Sequence, residues 1–206
     1  MNMDLKKYWI FFIKLVDEQM RGITVPGLAA GVAVCFIAVH AGCFIYSAKK
    51  KKTIRMTKKI SIWLTASYAL FIIMITFLNR DAGSRSGINI YPYFGSFFGS
   101  YYEMRQMGYN ILNVILFIPW GAVLTLLCMD TKPLKRFIFV TLYCFLTTFM
   151  IETGQYITQR GYSDITDIIT NITGGILGCL LMTAIIAGYN KLRQTLSKKQ
   201  DDSKVA

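Results

Sequence analysis

Residues 24–59 read TVPGLAAGVAVCFIAVHAGCFIYSAKKKKTIRMTKK. From Thr24 to Ala48 there is no Asp, Glu, Lys or Arg. As a helix rising about 1.5 Å per residue, that run is long enough to cross a hydrocarbon layer of about 30 Å. The stretch that follows, Lys49 to Lys59, carries seven cations and no acid. A basic block at the end of an apolar run holds its loop on the cytoplasmic side of a membrane. The stretch thus predicts a membrane-spanning helix and its direction.

Working outward, comparable runs fall at Ile60–Leu78, Ile111–Met129, Phe137–Ile151 extending to Tyr156, and Ile168–Tyr189. The expected spans are about 24–48, 60–78, 111–129, 137–156 and 168–189. Composition agrees: 206 residues, 54% of them hydrophobic, with a mean hydropathy of +0.43, are more apolar than a water-soluble core can hide. The expected fold class is all-α, a polytopic membrane helix bundle forming a single membrane domain over 1–206. The net charge of +12 lies in loops rather than on a nucleic-acid-binding face. With 49–59 inside, Lys132, Lys135 and Arg136 are also inside, as is the basic tail 190–206. The N-terminus, residues 79–110 and the turn at 157–166 then lie outside the cell.

Residues 1–23 differ from the spans. At helical spacing Leu5, Trp9, Phe12 and Val16 share one face and Lys7, Lys14, Glu18 and Arg21 the other, the pattern of an amphipathic helix lying in the membrane interface as an anchor or lid. A signal peptide fits less well, because no small-residue cleavage site follows and Asp17 and Glu18 intervene. The stretch HAGC at 40–43 has His40 where a lipoprotein cleavage site wants an aliphatic residue. Cys35, Cys43, Cys128, Cys144 and Cys179 all fall inside predicted spans without a CxxC pair, and so read as small packing residues. His40, the single histidine, also reads as a packing residue. Neither a metal site nor a cofactor is expected.

Between the second and third spans, NRDAGSRSGINIYPYFGSFFGSYYEMRQMGYN (79–110) is too apolar for a solvated linker and too interrupted for a span. It suits a re-entrant loop or lid in the headgroup region. Polar residues gather at the same level. Glu152 and Gln155 share a face near the end of span four, Asp164, Asp167 and Asn171 form a stripe entering span five, and Asn110 and Asn113 do the same on span three. Carboxylates at such depth require partners, and Arg160 is the expected one. The short turn containing Gly161 makes spans four and five antiparallel neighbours, and Gly174, Gly175 and Gly178 allow close helix approach. These groups either lock a hairpin or line a pocket.

Three blocks in order, RSGINIYPY (85–93), NILNVILFIPWGAVL (110–124) and IETGQYITQRGYSDITDIITNITGGILG (151–178), resemble the VanZ-like family. Arg85, Asn89, Pro92, Asn113, Phe117, Pro119, Gly121, Glu152, Gln155, Arg160, Asp164, Asp167, Asn171, Gly174 and Gly178 fall on its pattern, while Trp120, Tyr91 and Tyr93 depart from its usual residues. The resemblance covers about half the chain. It implies a bacterial plasma-membrane protein linked to teicoplanin resistance, with no established catalytic activity.

The expected site comprises Arg85, Asn89, Asn113, Glu152, Gln155, Arg160, Asp164, Asp167 and Asn171. Its expected partners are membrane lipid and a lipoglycopeptide or lipid-linked cell-wall precursor, and no nucleic acid. An enzyme acting on a lipid-linked envelope substrate is the alternative, with Glu152 and Asp167 as its acid and base. A small transporter or assembly scaffold is a third reading, and the oligomeric state is left open.

Overall fold

The computed structural model describes residues 5–78, 80–83 and 87–205, apart from the side chains of residues 5, 78 and 198–205. Six α-helices follow in order: α1 (Leu5–Met20), α2 (Val25–Lys50), α3 (Met56–Ile73), α4 (Tyr101–Leu127), α5 (Pro133–Ile157) and α6 (Ile165–Val205). A π-helical turn, Met74–Leu78, extends α3, and two-residue strands β1 (Ile88–Asn89) and β2 (Ser163–Asp164) pair in parallel. Five of the helices, α2 to α6, are long and apolar enough to cross a membrane, matching the five expected spans.

Local chemistry sets the helix ends. Thr24 caps α2 by accepting the Gly27 N–H at 3.2 Å, and Pro26 sits in the first turn, where its missing N–H costs nothing. α5 likewise opens on Pro133. The expected third span began at Ile111, yet α4 begins at Tyr101. A capping box explains the extension: the Ser100 hydroxyl accepts the Glu103 N–H at 3.3 Å and the Glu103 carboxylate accepts the Ser100 N–H at 2.6 Å. The charged residues of 101–110 are thus used by the helix itself. α6 similarly starts three residues early, with Asp164 accepting the Thr166 N–H at 2.7 Å.

The core lies between α4, α5 and α6, where Phe117, Val140 and Cys144 are fully buried and Cys179 nearly so. Its closest approach is between α4 and α6, not within the α5–α6 hairpin. A Cβ on Gly174 would fall on the Val114 carbonyl, one on Gly178 on the Ile118 carbonyl, and one on Gly121 on the Gly175 carbonyl. Only glycine permits such backbone contact. The α5–α6 side of Gly175 meets a side chain instead, the Cys144 thiol. Both α2–α3 and α4–α5 connections lie at the end of the bundle away from β1 and β2, linked by the Lys58 ammonium donating to the Leu127 carbonyl.

α1 is helical, and Leu15 with its helical neighbours meets the bundle. Leu15 is 2% exposed and packs on Gly108 of α4, whereas Trp9 is 65% exposed. Tyr8, Phe11, Leu15 and Glu18, spaced three or four apart, form the contact with α4 and the segment before it. Glu18, expected on the outward polar face, is bonded to α4: Arg105 donates to one of its oxygens at 2.6 Å and Tyr109 to the other at 2.9 Å. Partial burial works to raise the Glu18 carboxyl, but the Tyr109 and Arg105 bonds outweigh it and hold the group below the usual carboxylate range.

Candidate functional site

The polar residues of α4, α5 and α6 converge at the end of the bundle that carries β1, β2 and α1. Asp164 organises the rim. One of its oxygens accepts from Asn89 at 2.9 Å, the other caps α6, and its own N–H is donated to Glu152 at 2.8 Å. The β1–β2 pairing brings Asn89 beside Asp164, so the segment before α4 is stitched to the α5–α6 turn. Asn110 adds a second stitch, donating to the Tyr93 and Phe94 carbonyls at 3.3 and 2.9 Å. Residues 93 and 94 are also held from α6, because the Tyr93 N–H donates to the Thr166 hydroxyl at 3.0 Å. The segment therefore folds back on the helices.

Below this rim, Asn113 of α4 donates to Asp167 of α6 at 2.8 Å, and Asn171 donates to Thr148 of α5 at 2.9 Å. Gln155 reaches across to α3, where its amide donates to the Thr76 carbonyl at 3.3 Å, and Arg160 donates to the Phe77 carbonyl at 2.7 Å. Both acceptors lie where the π-helical turn ends. Carbonyls in the last turn of a helix lack an internal partner, and donors from a neighbour complete them.

These side chains border a cavity of about 250 Å³ between α3, α4, α5 and α6. Asn113, Glu152, Gln155, Asp167 and Asn171 line one part of it, and Phe71, Ile75, Leu112, Leu116 and Phe117 supply apolar wall. Glu152 is 2% exposed. Val16, Gln19 and Met20 of α1 also border the space, so α1 closes part of the mouth.

Of the nine expected site residues, five line the cavity and two, Asn89 and Asp164, build its rim. Arg160 takes a different place from the one expected. It holds the end of α3, and among the described residues the ion pair closer than 4 Å is Arg105–Glu18. Arg80 lines the cavity instead, and its charge acts on both Glu152 and Asp167. Arg85 lies outside the described residues. Arg80 was missed because it stands in the segment read as a loop, although its place as the first cation after the second apolar run is visible in the sequence. Nothing in the pattern of residues 1–23 pointed Gln19 at the site. Among the described residues, no group of three or more His, Cys, Asp or Glu could hold a metal ion.

Comparison with known proteins places these residues in a family. No solved structure matches the chain. Protein VanZ from Enterococcus faecium is 33% identical over 120 residues, covering 58% of this chain and 65% of that protein, so this chain spans just under two thirds of its relative's length. The VanZ/LLP1 family profile matches residues 64–187, from within α3 to α6. Every cavity-lining residue from α4, α5 and α6 lies within that match, whereas α1, which borders the mouth, precedes it. On that match, covering more than half of its length, the chain belongs to the VanZ/LLP1 family.

Proposed function

We propose that this multi-pass membrane protein binds a lipid-linked amphiphile, a lipoglycopeptide or a cell-wall precursor, in the cavity between α3, α4, α5 and α6, and thereby contributes to teicoplanin resistance. One observation carries the reading: a single cavity joins a buried carboxylate and amide cluster to an aliphatic and aromatic wall. Such mixed lining suits a molecule with a polar head and an apolar chain. At about 250 Å³ the space falls below the roughly 300–1,000 Å³ of sites that enclose drug-sized ligands. It accommodates a head group or a chain segment, with the rest of the amphiphile remaining in the bilayer.

The proposed orientation puts the cavity at the outer face. The basic 49–59 loop and the α4–α5 connection lie together at the opposite end, and positive loops are retained in the cytoplasm. The membrane would be the bacterial plasma membrane, with the N-terminus outside and the C-terminus inside. Labelling single cysteines at Ser163 and Thr53 from outside intact cells tests this, since the reading requires reaction at Ser163→Cys and none at Thr53→Cys.

The functional test compares teicoplanin and vancomycin susceptibility of a sensitive bacterium expressing the protein or Asp167→Asn at equal membrane levels. Protection against teicoplanin that falls in the variant supports the reading. Equal protection would make Asp167 dispensable. A second reading, an enzyme on a lipid-linked envelope substrate, draws on Glu152 and Asp167 bordering the same space, where two carboxylates can serve as acid and base. Its signature is an altered lipid-linked precursor that disappears with Glu152→Gln.

A further inference from the structure

In the cavity's amide side chains each nitrogen is already bonded, while two of the oxygens are not. Asn113 gives its N–H to Asp167, Asn171 to Thr148, and Gln155 to the Thr76 carbonyl. The Gln155 Oε1 and Asn171 Oδ1 atoms are left buried without a partner, on side chains 2% and 5% exposed. For Gln155 this arrangement is dictated by chemistry, because a backbone carbonyl can only accept and so the amide nitrogen must face Thr76. On α5, Thr148, Glu152 and Gln155 are spaced four and three apart, so they share one face and present an acceptor-bearing position at each turn, about 5 Å apart.

Charge points the same way. Among the described residues lining the space are two carboxylates, Glu152 and Asp167, and one guanidinium, Arg80. An anionic head would meet Arg80 but would have to approach both carboxylates and two bare carbonyl oxygens. A head that donates hydrogen bonds and carries positive charge suits this lining: the three N–H groups of a primary ammonium can meet three of these four acceptor groups, and charge-assisted bonds are the stronger ones. The apolar wall of Phe71, Ile75, Leu112 and Leu116 receives the attached chain.

We infer that the head group taken up by this cavity is a protonated amine borne on an apolar chain. The inference rests on the cavity being a binding site for an amphiphile, as proposed above, and narrows the class of amphiphile. It is tested on the full-length protein in nanodiscs of zwitterionic lipid, using a tail-labelled fluorescent alkylamine and correcting for empty nanodiscs. The competitors are hexadecylamine, its N-acetyl derivative and hexadecyl phosphate, which share one chain and differ in the head. Hexadecylamine should displace the probe at a concentration about tenfold lower than either of the others, the advantage expected of a charge-assisted contact. Asp167→Asn should erase most of that preference, bringing the three competitors closer together. Equal displacement by all three heads, or a preference for the phosphate, would overturn the amine inference and leave the binding site standing. Absence of saturable binding by the probe would overturn the amine inference, and the teicoplanin susceptibility comparison then decides the binding site separately. Since the head-group comparison is made on the unmodified protein, it does not depend on any variant folding.

Discussion

Along α4 and α6, one half of the seam is closed by glycine and the other is held open by polar side chains. In the glycine half, Gly121, Gly174 and Gly178 bring main chain against main chain. In the polar half, the same two helices are joined through Asn113 and Asp167, and side chains bonded end to end keep the backbones apart. The cavity opens beside this second half. Close packing and a binding space are thus successive stretches of one interface. On α6 less than one turn separates Gly174, which has no room for an added atom, from Asn171, which lines a space of about 250 Å³.

The largest expected effect tests the closed half. Gly178→Ala puts a methyl onto the Ile118 carbonyl, a backbone atom that cannot swing aside. Overpacking of this kind costs about 1–3 kcal/mol, and thermal unfolding in detergent should show a clear drop in the midpoint; a midpoint equal to the parent's would mean that the glycine contact is not close. Asn110→Ala comes next. It leaves the Tyr93 and Phe94 carbonyls without their side-chain donor, and because both residues are exposed the loss is that of an ordinary hydrogen bond, about 0.5–1.5 kcal/mol. Limited proteolysis should then cut near residues 93–94 faster, and an unchanged rate would show that the rim does not need this stitch.

Glu18→Gln acts at the mouth and should be smaller. The pair it removes is more than a third exposed on each side, so solvent screening limits it to a few tenths of a kcal/mol. Because the folded Glu18 carboxyl is held below its ordinary value of 4.5, its contribution is fully present above that value. It is lost as pH falls through the folded value. A cysteine pair joining α1 to α4 should therefore crosslink less readily in strong acid in the parent, and Glu18→Gln should remove that dependence. The smallest effect is at Gly188, where a Cβ meets nothing within 4 Å. Gly188→Ala should leave stability within about 0.5 kcal/mol, and a large loss there would mean that glycine matters on α6 for reasons other than contact with α4.

Much of the candidate site was legible because its residues recur at helical spacing. Glu152 with Gln155, Asp167 with Asn171 and Asn110 with Asn113 lie three or four apart, which puts each pair on one face in any α-helix. The partner assignments were less legible. Arg160 is the cation nearest in sequence to Asp164, yet it holds the end of α3, while Arg80, far away along the chain, faces the carboxylates. The glycines of α6 gave no sign of which neighbour they would meet, since a small residue favours close approach to any helix. Residues 101–110 belong to the segment read as too interrupted for a span. A capping box and a bond to Glu18 make their charges part of α4.

The sequence by itself determined that the chain is an all-helical membrane bundle with five candidate spans and polar groups gathered near the ends of three of them. Hydropathy sums residue by residue and helical periodicity is local, so neither needs the neighbours to be known. Only the tertiary structure decided that α6 packs its glycines on α4, that Arg80 rather than Arg160 faces the cavity, and that α1 borders the cavity through Val16, Gln19 and Met20 while Leu15 and Glu18 hold it to α4. Those outcomes depend on how each helix is rotated about its axis and which partner it faces. Rotation is set by side chains meeting across interfaces, which have no fixed separation along the chain.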